Sequence, residues 1–276
     1  MTQTIALNDG TSIPTIGFGT YPHDGDDSAA NTEHALEVGY RLIDTALSYE
    51  NEAEVGEGLR RSPVSRDEVI VTTKVPGRHH GYDGARESFA ASAKALGLET
   101  IDLLLIHWPL PRLDKYVDTW RALVDLQKEG LVRSIGVSNF TPDHIRRLQD
   151  ATGVTPAVNQ IELHPYFQQH EQRAFHAEHG IVTEAWSPLG RGGDLLKEPT
   201  LVEIAESLGV SVGQVVLRWH IEQGIVPIPK SKNPDRQREN FDVFSFSLTE
   251  DQIAAINTLD KGTPIWDQDP NVYEEF

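Results

Sequence analysis

Asp44, Tyr49, Lys74 and His107 are the residues of this 276-residue chain whose types and spacing could move a proton. Asp44 ends the apolar run Arg41-Leu42-Ile43, and Tyr49 follows it in the same segment, LIDTALSY. Lys74 closes the run VIVTT, and His107 closes IDLLLI. A carboxylate at the end of an apolar run costs several kcal/mol if it stays unpaired. It needs a cation, and Lys74 is the one at a neighbouring strand end. Tyrosine and lysine have reference pKa values of about 10 and 10.4, so neither exchanges a proton well near neutrality without help. An ammonium beside a phenol stabilises its anion and lowers its pKa, while a carboxylate behind the lysine keeps the lysine charged and in place. Asp44, Lys74 and Tyr49 therefore read as a relay that tunes Tyr49 as a general acid, with His107 donating to a substrate oxygen. Such a site would protonate a carbonyl oxygen while something else attacks the carbon. Taken singly, each residue has a plainer reading: a strand-end cap, a loop tyrosine, a solvated strand terminus, a core histidine.

The elements that must position these residues follow from periodicity. Short apolar runs lie at 15–20, 41–43, 69–73, 101–106, 132–137, 157–161, 181–186 and 225–229, starting roughly 25 to 45 residues apart. Between them lie helical patterns. Tyr116, Trp120, Leu123 and Val124 recur at i, i+4, i+7, i+8, and Val212, Val215, Val216 and Trp219 at i, i+3, i+4, i+7. Ser211-x-x-Gln214 reads as a capping box, and Thr141-Pro142 puts proline at a first helical position. Near-continuous apolar strands alternating with helices imply a parallel sheet covered on both faces. Eight such units predict an α/β fold, a (β/α)8 TIM barrel. The leading ALNDGTSIP predicts a short N-terminal β-hairpin turning at Asp9-Gly10 and plugging one barrel end. No linker, repeat or low-complexity segment divides the chain, so residues 1–276 are expected to form a single barrel domain.

Polar residues then fall at one end of each strand. Asp44 follows the second run, Lys74 the third, His107-Trp108 the fourth and Ser138-Asn139 the fifth. Gln160 lies in the sixth, Trp186-Ser187 ends the seventh, and Lys230-Ser231 follows the eighth. In such barrels the carboxyl ends of the strands share one face and build the active site. Residues far apart in sequence are thus expected to converge.

Composition bounds the partners. The net charge of −18 argues against general affinity for nucleic acid or anionic membrane. An anionic ligand must instead meet a local basic cluster, which Lys230, Lys232, Arg236 and Arg238 provide. The absence of cysteine excludes disulfides and thiolate metal sites. MTQTIALNDG lacks the basic and apolar regions of a signal peptide, and no apolar run approaches the roughly 20 residues of a membrane span. A cytoplasmic, soluble chain is the expectation. His176-x-x-His179 has helical metal-ligand spacing but no partners to complete a site, so a solvated helix face and no metal are expected there. His79-His80 lies in a glycine-flanked loop, open either to substrate contact or to plain exposure. Gly17-Phe18-Gly19 lacks the third glycine and helix of a Rossmann fingerprint, so any dinucleotide must bind by another route.

The pieces GFGTY (17–21), LIDTALSYENEAEVG (42–56), VTTKV (71–75), LLIHWP (104–109), SIGVSNF (134–140), VNQIELHP (158–165) and IPKS (228–231) occur in this order. Through them the chain resembles the aldo-keto reductase superfamily along essentially its whole length, and within it the prokaryotic branch that includes the 2,5-diketogluconate reductases. The resemblance implies an NADP-dependent oxidoreductase that moves a hydride from NADPH to an aldehyde or ketone. Tyr49 is then the general acid, Asp44 and Lys74 tune it, and His107 orients the carbonyl. The resemblance further implies that Ser138, Asn139 and Gln160 hold the nicotinamide carboxamide and that Trp186 stacks on the nicotinamide ring. Ser187, Leu189 and Gly190 would follow the pyrophosphate. Lys230, Ser231 and Arg236 would hold the 2′-phosphate, favouring NADPH over NADH, with Glu239 and Asn240 near the adenine.

For the substrate, Tyr21, Trp108 and Trp266 are expected to line an aromatic barrel mouth. The closing segment KGTPIWDQDPNVYEEF is short and acidic, which favours an open pocket. Small α-dicarbonyls, keto-sugars or keto-acids are the expected substrates, and a monomer the expected state. Two other readings stay open: a Schiff-base aldolase with Lys74 as nucleophile, for which a protonated, paired lysine is poorly suited, and a coenzyme-binding regulatory protein without turnover.

Overall fold

The structure, a computed structural model, describes residues 3–22 and 27–275; Phe276, the last residue of the closing segment, lies outside them. Thr4–Ala6 (β1) pairs antiparallel with Ser12–Pro14 (β2). The turn between them uses Gly10 at φ 88° and the Asp9 carboxylate, which accepts from the Thr11 amide at 3.0 Å. Eight parallel strands follow in sequence order: Phe18–Gly19 (β3), Leu42–Asp44 (β4), Ile70–Val75 (β5), Ile101–Ile106 (β6), Val132–Ser138 (β7), Val158–Glu162 (β8), Val182–Trp186 (β9) and Val226–Ile228 (β10). The circle closes where the Gly17 and Gly19 amides donate to the Pro227 and Pro229 carbonyls, each at 3.0 Å. Proline is tolerated there because the ladder asks it only to accept. A Cβ on Gly17 would come within 2.6 Å of Ile228 Cδ1, so a larger residue at this seam would require the Ile228 and Leu42 side chains to shift. The (β/α)8 barrel and its hairpin are as the periodicity predicts.

The outer layer consists of α1 (Ser28–Val38), α2 (Glu52–Arg61), α3 (Tyr82–Leu96), α4 (Tyr116–Lys128), α5 (Pro142–Thr152), α6 (His170–Glu178), α7 (Pro199–Leu208), α8 (Val212–Glu222), α9 (Pro234–Phe241) and α10 (Glu250–Asn257). Tyr116, Trp120, Leu123 and Val124 on α4 are all buried, as are Val215, Val216 and Trp219 on α8. Ser211 with Gln214 closes the expected capping box, and Pro142 stands in the first turn of α5 behind the Thr141 cap.

Strand alternation builds two cores. Leu42, Leu103, Leu105, Val158, Val226 and Ile228 point into the barrel, where Leu7 and Ile13 of the hairpin segment pack against them as the plug. Each such side chain contributes about 1.5–3 kcal/mol of burial. Ile43, Val71, Leu104 and Ile106 point outward under the helices. Leu42 inward and Ile43 outward leave Asp44 inward. The carboxylate thus enters the barrel because pleating puts it on the same face as Leu42.

One expectation is corrected. His176 is not on a solvated face but is 1% exposed, with Nδ1 2.8 Å from Thr183 Oγ1 and Nε2 2.9 Å from Asn159 Nδ2. The inward face of α6 meets polar side chains of β8 and β9, which satisfy both ring nitrogens. Burial first, and His179 second, push its pKa down to about 3. Among the described residues no single helix is long and apolar enough to cross a membrane.

Candidate active site

Four residues spread over 64 positions of sequence meet at the carboxyl end of the barrel. Lys74 Nζ donates to Asp44 Oδ1 at 2.7 Å, to Asp44 Oδ2 at 2.8 Å and to the Thr45 carbonyl at 2.9 Å. These three acceptors match the three hydrogens of an ammonium. Lys74 and Asp44 are 1% and 4% exposed. Burial pulls the Lys74 pKa down, but Asp44 and Tyr49 more than offset it and the net direction is up. Lys74 is therefore charged.

Tyr49 lies in the short 3-10 turn Leu47–Tyr49 that follows β4, with its ring centroid 5.2 Å from Lys74 Nζ. Lys74 pulls the phenol pKa down, as the sequence implies. Burial outweighs it, with Asp44 adding to the rise, and the pKa is pushed up to about 12. Burial, opposed by Lys74, thus keeps Tyr49 protonated at neutrality. The His107 ring centroid is 5.9 Å from that of Tyr49, and its Nδ1 is 3.3 Å from Ser48 Oγ.

A second network joins this one from the next strands. Gln160 Nε2 donates to Asp44 Oδ2 at 2.9 Å and to Glu184 Oε2 at 2.8 Å. With both amide hydrogens engaged, Gln160 turns its oxygen away from the two carboxylates. Ser138 Oγ donates to the Gln160 carbonyl at 2.9 Å, and Asn139 Nδ2 donates to Ser138 Oγ and the His107 carbonyl, each at 3.1 Å. Trp186 Nε1 donates to Asn139 Oδ1 at 2.8 Å. Asn139 and Ser187 hold φ of 62° and 51° at the ends of β7 and β9, the left-handed region that non-glycine residues occupy sparingly.

The basic cluster lies at the amino end of α9. Asn233 caps this helix, its Oδ1 accepting from the Asp235 and Arg236 amides at 2.9 and 3.2 Å. Ser231 is half-buried and Arg236 exposed beside it, with Lys230 half-buried at the strand end. A helix amino terminus flanked by such side chains suits an anion. Asn240 is buried on the same helix and Glu239 is exposed, while Leu189 and half-buried Gly190 follow β9.

At the mouth the aromatic residues divide in a way the sequence does not reveal. Tyr21 is 46% exposed and meets Tyr49 edge-on at 5.1 Å. Trp266 lies 6.0 Å from Trp186, on the Asn139 side, with Arg191 3.8 Å above its ring. Trp108 is buried and covered by Tyr273 at 4.3 Å. The expected open pocket is corrected on this side. The closing segment folds back, and Glu275 Oε1 sits 2.6 Å from His107 Nδ1 while its Oε2 accepts from the Gly77 amide at 3.1 Å. His80, in the adjoining loop, is buried, and its pKa is pushed down to about 4 chiefly by that burial.

A family model described as the aldo/keto reductase family matches residues 15–261. The chain belongs to the aldo/keto reductase family. It is 56% identical over 273 residues to the 2,5-diketo-D-gluconic acid reductase B of Corynebacterium sp. (strain SHS752001), covering 99% of this chain and 98% of that one. It is 46% identical over 259 residues to the methylglyoxal reductase DkgA of Escherichia coli (strain K12), covering 94% of each chain. A Gox0644 mutant crystallised in complex with NADPH superimposes with a TM-score of 0.94 at 44% identity, over 99% of each chain.

This aldo/keto reductase carries two site carboxylates that the sequence reading passes over. Glu184 is 0% exposed on β9, and burial first, then Asp44, push its pKa up to about 8. A signal for it exists, since IVTEAW interrupts an apolar run with a carboxylate just as RLID does. Glu275 offers no such signal, because nothing local to NVYEEF indicates where it docks. Among the described residues no group of three or more His, Cys, Asp or Glu side chains is arranged to hold a metal ion.

Proposed function

We propose that this chain reduces small aldehydes and ketones to alcohols with NADPH as the hydride donor. The substrates are α-dicarbonyls, keto-sugars or keto-acids. The observation that carries this reading is the buried Asp44–Lys74 pair set against Tyr49, with the His107 ring 5.9 Å from that of the phenol.

The residues present fit the coenzyme. Gln160 has an amide oxygen left to accept from a carboxamide, and Asn139 and Ser138 lie in the same network. Trp186, fixed through its indole N–H, offers a flat face for a nicotinamide. Lys230, Ser231 and Arg236 lie at the α9 amino terminus, where a ribose phosphate would find positive side-chain charge and the favourable end of the helix dipole. When bound, NADPH supplies the hydride that attacks the carbonyl carbon.

The chain supplies the rest. His107 and Tyr49 hydrogen-bond the carbonyl oxygen and fix its position. As charge develops on that oxygen, Tyr49 passes its proton to it. Lys74 then stabilises the resulting phenolate, because its ammonium is held in place by both Asp44 oxygens. A phenol with a pKa near 12 remains a far stronger acid than an ordinary alcohol, so the transfer runs toward product. The names of the similar reductases, which concern a diketogluconic acid and methylglyoxal, support a small carbonyl substrate. The aldolase reading is disfavoured, because all three Lys74 hydrogens are engaged and the amine is charged.

The test is NADPH oxidation by the purified protein with methylglyoxal and a panel of keto-sugars and keto-acids, with NADH run in parallel. Tyr49→Phe should lower kcat by about 10²- to 10⁴-fold, the usual contribution of a positioned acid. Unchanged turnover in that variant would remove Tyr49 from the role.

A further inference from the structure

The closing segment crosses the barrel mouth and delivers a carboxylate to the site. Tyr273 packs at a tilt against Trp108, and Glu275 reaches His107 Nδ1 at 2.6 Å and the Gly77 amide at 3.1 Å. Its side chain is 15% exposed. Burial favours its neutral form, but His107, the Gly77 amide and Ser48 more than offset this, so it stays ionised. The donors on this side of the site are therefore already committed to an anion of the chain's own. The loop is shaped to admit it, since a Cβ on Gly77 would overlap the Glu275 carbonyl oxygen and Leu110 Cδ1.

We infer that Glu275 is a specificity-determining residue that biases the reaction toward uncharged carbonyl compounds and against those carrying a carboxylate beside the reacting carbon. The inference rests on the proposed carbonyl reduction and narrows its substrate class. A substrate whose carbonyl meets Tyr49 and His107 brings its neighbouring group close to Glu275. A methyl ketone there meets no charge. A carboxylate there faces an anion and finds His107 Nδ1 and the Gly77 amide already accepted by another carboxylate. Like charges set together in this way oppose binding strongly. Among the described residues, Arg191 is a cation outside the Glu275–His107 pair; it is exposed and lies over Trp266 at 3.8 Å and Tyr21 at 5.8 Å.

Methylglyoxal and glyoxylate form a test pair of nearly equal size, differing in whether a methyl ketone or a carboxylate neighbours the aldehyde. The wild-type protein should prefer methylglyoxal in kcat/KM. Glu275→Gln should move the ratio toward glyoxylate by about tenfold, chiefly through the KM of the acid, as expected when a like-charge contact is removed. Gly77→Ala, which displaces the closing segment without touching its chemistry, should move the ratio the same way. A ratio that neither variant shifts, or a wild-type preference for glyoxylate, overturns the inference and gives the anion to Arg191. Failure to oxidise NADPH with any carbonyl compound is a separate result, and it overturns the proposed reduction itself.

Discussion

Asp44 and Asp102 are both buried strand aspartates, 4% and 3% exposed, yet they stand at opposite ends of the barrel and meet opposite kinds of cation. Asp44, at the carboxyl end of β4, is paired with Lys74, which is itself 1% exposed. Asp102, near the amino end of β6, is paired with Arg66 and Arg133, whose side chains are 37% and 55% exposed, and it accepts from the Val71 amide at 3.0 Å. At the lower end the cations stay partly solvated, and the carboxylate ties strands and loops together. At the upper end both charges are dry, so the pair must stay intact and its field falls on whatever lies next to it. That neighbour is Tyr49. The comparison teaches that a buried carboxylate alone does not mark a site; a buried cation facing a third polar group does.

The widest gap between the two ends should come from removing each cation. Lys74→Met leaves Asp44 charged and unpaired in the barrel, which costs about 3–5 kcal/mol of stability. It should also remove turnover, because nothing then stabilises the Tyr49 phenolate. Urea unfolding together with NADPH oxidation reads both effects. A variant of wild-type stability would mean that Asp44 sits in wetter surroundings than its exposure indicates.

Glu184 sharpens the upper end further. An unfolded glutamate ionises from about 4.5, whereas folded Glu184 keeps its proton up to about 8. Between those values the unfolded chain releases a proton that the folded chain retains, so this group's contribution to stability falls as pH rises. The slope is at most about 1.4 kcal/mol per pH unit. Glu184→Gln should flatten the decline in Tm over that interval. Parallel profiles for the two proteins would show that Glu184 is ionised throughout.

The smallest effect is expected below. Arg66→Met removes a half-solvated partner while Arg133 and the Val71 amide remain. The expected loss is about 1–3 kcal/mol, below that of Lys74→Met, with turnover unchanged. A loss as large as that of Lys74→Met would erase the distinction drawn between the two ends.

Much of the upper end was legible before any coordinates. The runs ending in Asp44, Lys74, His107 and Asn139 identify strand ends, and a parallel barrel puts those ends on one face. Glu184 was equally legible by the same rule, but within IVTEAW it reads as part of a strand rather than as its polar end. The sign of the Tyr49 shift was not legible. Lys74 and burial pull in opposite directions, and only the depth of the phenol decides between them.

Spacing and periodicity along single strands and helices fix the barrel, its hairpin plug and the place of Asp44 at a strand end. Only the tertiary structure decided the partners of groups that no periodicity links. His176 found Asn159 and Thr183, Trp266 found Trp186 rather than Trp108, and Glu275 found His107 from 168 residues away. The physical reason is that pleat and helix period fix which way a side chain points, whereas loops and chain ends take their positions from packing, which no local pattern encodes.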